Sequence, residues 1–198
     1  MPVIHRHTHG HAEMYGLARH AAWYDRQAGL LARPLYRGVA ADVAAAGLPA
    51  GAVVLDVGTG PGRVPRLIAQ ACPQVTVLGI DLSAEMIARA SSVAAASPQT
   101  ERITFQVANV AELPFEDASI DLVISSISLH HWDDPAAGLR DVVRVLRPGA
   151  HAWIYDFRPA LRDPDRLTAG LDADVLLETP AQGRRWFSPI SRLMLRRR

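Results

Sequence analysis

From Ala52 to Phe157 short β-branched apolar runs alternate with longer segments of helical period, and nothing else in the chain limits the fold as much. Val53-Val54-Leu55-Asp56-Val57 reads as a buried strand, and Arg63 to Ala71 follows with Val64, Leu67, Ile68 and Ala71 on one helical face. Val75 to Ile80 is a second strand. Ser83 caps the next helix, which has Glu85 in its first turn and Met86, Ile87, Ala90 and Val93 on its buried side. Arg102–Val107 and Ile120–Ser125 read as strands three and four. Asp134-Pro135 starts a helix with Leu139, Val142, Val143 and Leu146 on one face, which Pro148-Gly149 stops before a fifth strand over His151–Phe157. Strand and helix in strict turn mean parallel strands, right-handed crossovers and helices on both faces of an open α/β sheet of Rossmann type.

The ends of the chain break this rhythm. Arg158 to Gly170 is rich in Pro and Asp and has room for only a short helix. The runs Ala173–Thr179 and Ser188–Arg196 have no full helix between them, only the turn signal Gln182-Gly183, so they predict an antiparallel hairpin at the sheet edge. Ahead of the sheet, Glu13–Leu31 and Leu35–Ala46 predict two helices. The organisation expected for 1–198 is one domain: a disordered His-rich tail over 1–12, cap helices over 13–50, a core over 51–157 and a hairpin region over 158–198.

Composition narrows the chemistry. A chain of 198 residues with 49% apolar residues and a net charge of +1 suits one hydrophobic core and lacks the basic footprint of a nucleic-acid binder. All 21 basic residues are arginine, which excludes a Schiff-base or P-loop lysine. The single cysteine, Cys72, cannot form an internal disulfide, and no Cys cluster suggests zinc. No stretch approaches the roughly 18 apolar residues of a membrane span, and the N-terminus has no apolar stretch to serve as a secretion signal, so no membrane insertion and a cytoplasmic location are expected.

Asp56-Val57-Gly58-Thr59-Gly60-Pro61-Gly62 joins the first strand to the first helix. A turn in this place brings backbone N–H groups to a ligand beyond the carboxyl ends of the strands. The dinucleotide pattern G-x-G-x-x-G would need glycine at position 63, where Arg63 stands. Asp81, closing the second strand about 20 positions on, is placed for ribose hydroxyls and supports a nucleoside without choosing one. Asp56 and Asp81 could instead each cap the turn that follows.

Five stretches together carry a resemblance: Val54 to Gly62, Gly79 to Ser83, Ala111-Glu112-Leu113-Pro114-Phe115, Asp121 to Ser125, and Val145-Leu146-Arg147-Pro148-Gly149. In this order and spacing, over roughly half of the chain, the sequence resembles the class I S-adenosylmethionine-dependent methyltransferases, particularly the branch of ubiquinone-type and small-molecule enzymes. The resemblance implies a seven-stranded, mostly parallel sheet whose last strand is antiparallel, S-adenosylmethionine as cofactor, and a small-molecule acceptor. It implies that Asp56, Gly58, Thr59, Gly60 and Gly62 hold the methionine part, with Ser125 at the end of strand four nearby. Asp81 would take the ribose, Asn109 the adenine amino group in place of the family's frequent Asp, and Val110 would offer a backbone donor. Leu82 and Met86 would pack on the base. A nicotinamide oxidoreductase shares the loop and Asp81 but not the later motifs. A cofactor-binding protein without catalysis would look the same.

Sulfonium methyl transfer needs alignment and exclusion of water, and an acceptor hydroxyl or acidic carbon also needs a base. In Ser128-Leu129-His130-His131-Trp132, after strand four, His131 or His130 is the candidate, His131 slightly preferred; the alternative is that both anchor the loop. Trp132 suits packing. Tyr15, Trp23 and Tyr24 are candidates for a lid or for core, and Arg158 for an anionic substrate or for solvent. His5, His7, His9 and His11 alternate and could chelate a metal, but a simple tail is the expectation, and no metal site is predicted. No Asn/Asp-Pro-Pro-Tyr follows strand four, so a nucleic-acid substrate is not expected; the chain is expected as a monomer or homodimer.

Overall fold

The computed structural model describes residues 21–178 and 189–198, with the backbone alone for 21–31. The His-rich segment, Tyr15, the first part of the expected helix over 13–31, the side chains of Trp23 and Tyr24, and the Gln182-Gly183 turn lie outside that description. The chain divides into two compact units, 1–33 and 34–198. A helix, α1, spans Ala21–Ala45 with Pro34 inside it. The sequence predicts two helices, Glu13–Leu31 and Leu35–Ala46, and one helix runs through the expected gap between them. A proline removes one backbone donor and its ring crowds the carbonyl four residues back, but its fixed φ is itself helical. Beyond Pro34, Leu35, Tyr36, Val39, Ala40 and Val43 pack on the sheet and hold the helix in place.

The second unit is an open sheet built from β1 (Val53–Val57), β2 (Thr76–Asp81), β3 (Ile103–Val107), β4 (Ile120–Ser126), β5 (Leu146–Phe157), β6 (Ala173–Glu178) and β7 (Ile190–Arg197), in the order β3-β2-β1-β4-β5-β7-β6. β7 runs antiparallel to β5 and to β6, and the other neighbours are parallel. The helices between are α2 (Arg63–Ala71), α3 (Ala84–Ala95), α4 (Pro135–Val145) and the short α5 (Pro164–Leu167).

Unbroken apolar runs form the central strands because both faces are covered. Val54, Val77, Leu122 and Ile124 point to the face under α1 and α2, with Val39, Val43, Val64 and Ile68. Leu55, Val57, Val123 and Ile154 point to the other face, against Leu139, Val142 and Val143 of α4. Ser83 caps α3 by accepting from the Met86 N–H at 3.3 Å, and Asp134 caps α4 by accepting from Ala137 at 2.9 Å. Val93 is only half-buried, and Ala94 is the residue that faces the core. The Pro148-Gly149 stop falls inside a strand. α4 ends at Val145 and β5 begins directly at Leu146, with a register shift against β4 between Ile120 and Leu122.

The strand order reverses between β1 and β4. The loop after β1 leads away to one side and the loop after β4 to the other, which opens a crevice above their carboxyl ends.

Candidate active site

The β1 side of the crevice is the glycine turn. Gly58 has φ +69°, and a Cβ added there would fall 1.8 Å from Ser128 Oγ, so only glycine lets the turn lie against the segment after β4. Gly60 has φ +52° and open space where a side chain would project. Gly62 is different: a Cβ there would meet the Phe105 ring at 2.6 Å, so this glycine faces packing rather than the crevice. The Thr59 N–H donates to the Ile80 carbonyl at 2.8 Å, which fixes the turn to β2.

Asp56 lies beneath this turn and is 1% exposed. Its Oδ2 accepts from Thr59 Oγ1 at 2.7 Å, while Oδ1 is buried without a partner. Burial pushes its carboxyl up to about 7, with Asp81 adding repulsion and the Thr59 hydroxyl opposing both. Asp81 accepts from the Gly60 N–H at 2.8 Å through Oδ2 and from the Ser83 N–H at 2.9 Å through Oδ1. It therefore caps the next turn and ties the glycine loop at once, and each oxygen keeps a second lone pair. Burial raises the Asp81 carboxyl, against the two backbone donors and the nearby His131.

On the β4 side, Ile127 has φ +54°, a costly conformation for a β-branched residue, held by its N–H to the Tyr155 carbonyl at 2.8 Å. A single 3-10 turn over Leu129–His131 follows. Its His130 donates its backbone N–H to Asp156 Oδ2 at 3.1 Å, and its ring Nδ1 lies 2.8 Å from Asp156 Oδ1. Asp156, fully buried at the end of β5, also accepts from the Phe157 N–H at 2.7 Å. A carboxylate only accepts, so Nδ1 carries the hydrogen and Nε2 is left with its lone pair. The His131 ring packs on that of His130 with centroids 3.9 Å apart, and Phe157 meets His130 edge-on at 5.4 Å. Burial and the neighbouring His130 lower the His131 pKa, against Asp156 and Asp81. Trp132 donates its indole N–H to Ser128 Oγ at 2.9 Å, and its ring fills the space left by Gly138 on α4.

Asp56, Gly58, Thr59, Gly60 and Asp81 thus come together on one side, and His130 and His131 on the other. His131 donates its backbone N–H to the Ser128 carbonyl at 2.9 Å, so loop anchoring is real for both histidines, and only His130 adds a side-chain bond to a carboxylate. Ser125 is buried with its hydroxyl unpartnered. It pairs with Val57 rather than Asp56, and strand alternation turns it to the opposite sheet face from Asp56. Asn109 is exposed, and its Oδ1 already accepts from the Ala111 N–H at 3.0 Å. The Val110 side chain faces inward towards Gly138. Leu82 is 58% exposed beside Asp81, and Met86 is half-buried one turn on. Asp156 escaped the sequence reading. Its signal was an acidic residue closing a buried strand, the same signal that marks Asp81.

Residues 55–154 match the model of a family described as "Methyltransferase domain". A ubiquinone/menaquinone biosynthesis C-methyltransferase of Geobacter sulfurreducens is 39% identical over 108 residues, 54% of this chain and 42% of that protein. A 27-O-demethylrifamycin SV methyltransferase of Amycolatopsis mediterranei is 35% identical over 164 residues, 82% of this chain and 57% of that protein. The chain spans about half the length of these curated relatives. Among solved structures, a SAM-dependent methyltransferase from Aquifex aeolicus superposes with a TM-score of 0.63 at 19% identity, over 76% of this chain and 84% of that one, which bears on the fold alone.

Proposed function

This chain belongs to the class I S-adenosylmethionine-dependent methyltransferase family, and on that premise we propose that it moves a methyl group from S-adenosylmethionine to a protic atom of a small molecule, with His130 taking the proton. The observation that carries this reading is the His130–Asp156 pair, 2.8 Å apart beside the glycine turn. The geometry favours His130 over the slightly preferred His131, because a buried carboxylate holds its Nδ1 and leaves Nε2 without a protein partner among the described residues.

The residues of the β1 side fit the cofactor. Asp56 Oδ1 is a buried acceptor without a partner beneath the turn, and it would serve the ammonium group of the cofactor. Asp81 retains lone pairs for ribose hydroxyls, and the exposed Leu82 and half-buried Met86 offer apolar contact to the base. The Asn109 oxygen could add the adenine amino group to its present backbone donor, since a carbonyl has two lone pairs. Gly62 and Ser125 belong to this reading as support for the turn and for the β4 end. Bound there, the sulfonium supplies an already activated methyl carbon. The chain itself then orients the acceptor, excludes water and receives its proton at His130 Nε2 while Asp156 steadies the resulting imidazolium. A base suits an O–H or an acidic C–H acceptor, and the two relatives, one a C-methyltransferase, do not narrow it further.

Thermal unfolding with S-adenosylhomocysteine or with NAD tests the cofactor. At 100 times its Kd the first should add about 2.7 kcal/mol. Stabilisation by NAD alone would overturn the assignment.

A further inference from the structure

Ser128 packs on Gly58, accepts from the His131 N–H through its carbonyl and anchors Trp132, and the direction of its side-chain hydrogen bond says more. An indole N–H can only donate, so Ser128 Oγ is the acceptor in its 2.9 Å bond to Trp132. The same oxygen presses on Gly58, where a Cβ would fall 1.8 Å away. Trp132 is the one hydrogen-bond partner of this oxygen among the described residues, so its own hydrogen has no acceptor there. A donor without an acceptor at 8% exposure is costly unless something else completes it.

The strand order says what that is. Along the carboxyl edge the sequence is β3, β2, β1, β4, with Asp81 at the end of β2 and Ser128 just past the end of β4. A ligand whose ribose sits at Asp81 and which crosses the glycine turn brings its far end to Ser128. For S-adenosylmethionine that far end is an amino acid, one group a donor and the other an acceptor. We infer that the Ser128 hydroxyl donates to the carboxylate of the cofactor's amino-acid tail, while the open oxygen of Asp56 serves the ammonium. This rests on the cofactor assignment proposed above.

The test is calorimetric titration of the full chain with S-adenosylhomocysteine and with 5′-methylthioadenosine, which keeps the nucleoside and the sulfur but lacks the tail. Ser128→Ala should weaken the first about tenfold or more, as expected for a hydrogen bond to a charged group, and change the second less than twofold. Ser128→Cys, close in size and a poor donor, should do the same. Trp132→Phe removes the anchor but leaves the hydroxyl, and should spare both ligands. Equal weakening of both ligands by Ser128→Ala, no weakening of either, or a Trp132→Phe effect matching Ser128→Ala would each overturn the inference. A wild-type chain that binds neither compound would instead overturn the cofactor assignment itself.

Discussion

The carboxyl ends of β1 and β2 and those of β4 and β5 face one crevice, but they hold their polar groups by different means. On the β1 side Thr59 donates to Asp56 three residues back, and Gly60 to Asp81 across one helix, twenty-one residues on. The Asp56 carboxyl there is buried with one oxygen unpartnered, and Asp81 is half-buried. On the β4 side His130 and Asp156 are separated by 26 residues, and the pair is complete in itself. The first half stores unsatisfied polarity that a ligand can relieve. The second holds an oriented imidazole, which on the proposed reading is the proton acceptor. On the proposed reading the chemistry rests on the His130–Asp156 pair, while binding is shared by the β1 side and Ser128, and the two can be disturbed separately.

The largest effect should come from breaking the complete pair. His130→Ala should lower turnover by about 10²–10⁴-fold, the usual range for loss of a general base, and leave S-adenosylhomocysteine affinity within twofold. Asp156→Asn should fall in the same range, since an amide no longer enforces the Nδ1–H tautomer. His131→Ala should cost about tenfold or less. Single-turnover assays with an identified acceptor would measure all three, and a His131 effect exceeding that of His130 would reverse the roles argued here.

The unsatisfied half should show itself as pH-dependent stability. The Asp56 carboxyl is raised from 3.8 to about 7 by burial. Between those values the folded chain holds a proton that the unfolded chain has released, so this contribution is full below about pH 4 and is lost as pH rises to about 7. The loss amounts to as much as about 4 kcal/mol at full linkage. Asp81 is shifted in the same direction and His131 in the opposite one, its neutral form being favoured as pH rises. The difference between wild type and Asp56→Asn in denaturant unfolding at pH 5 and pH 8 isolates Asp56. Asp56→Asn should be the more stable chain at pH 8, and saturating S-adenosylhomocysteine should flatten the wild-type slope. A parallel response of the two chains would remove stored polarity from the comparison.

These contrasts also explain what could be read without coordinates. The β1 side was legible because its parts lie within one turn or one strand–helix unit: the glycines, Asp56, Asp81 and the Ser83 cap all declare themselves locally. The sheet was legible for the same reason, since strands covered on both faces read as unbroken apolar runs, and the hairpin of β6 and β7 by its missing helix. Asp156 was not legible, because its meaning depends on β5 lying beside β4. The direction of Ser125 needed strand register, and the choice between adjacent histidines needed the same long-range contact. The gap expected between the two N-terminal helices did not form, because the burial of Val39 and Val43 outweighs the cost of about 3 kcal/mol of a proline inside a helix.

Two glycines of the turn then separate contact between the halves from access to the ligand. Gly58→Ala forces a Cβ into the Oγ and Cβ of Ser128, and adds a positive-φ penalty. A cost of about 3 kcal/mol in unfolding free energy is expected, from overpacking and backbone strain together, with loss of cofactor binding.

Gly60→Ala meets no neighbour and carries the φ penalty alone, so about 1 kcal/mol is expected. Its N–H still reaches Asp81, and the turn keeps its tie to β2. What changes is the open space above it, which on this reading is where the cofactor crosses from Asp81 towards Ser128. Affinity for S-adenosylhomocysteine should therefore fall further than the stability loss explains, and affinity for NAD should not appear. If Gly60→Ala binds as wild type does, the ligand does not pass over this residue, and the cofactor path from Asp81 to Ser128 must be redrawn around Gly58 alone.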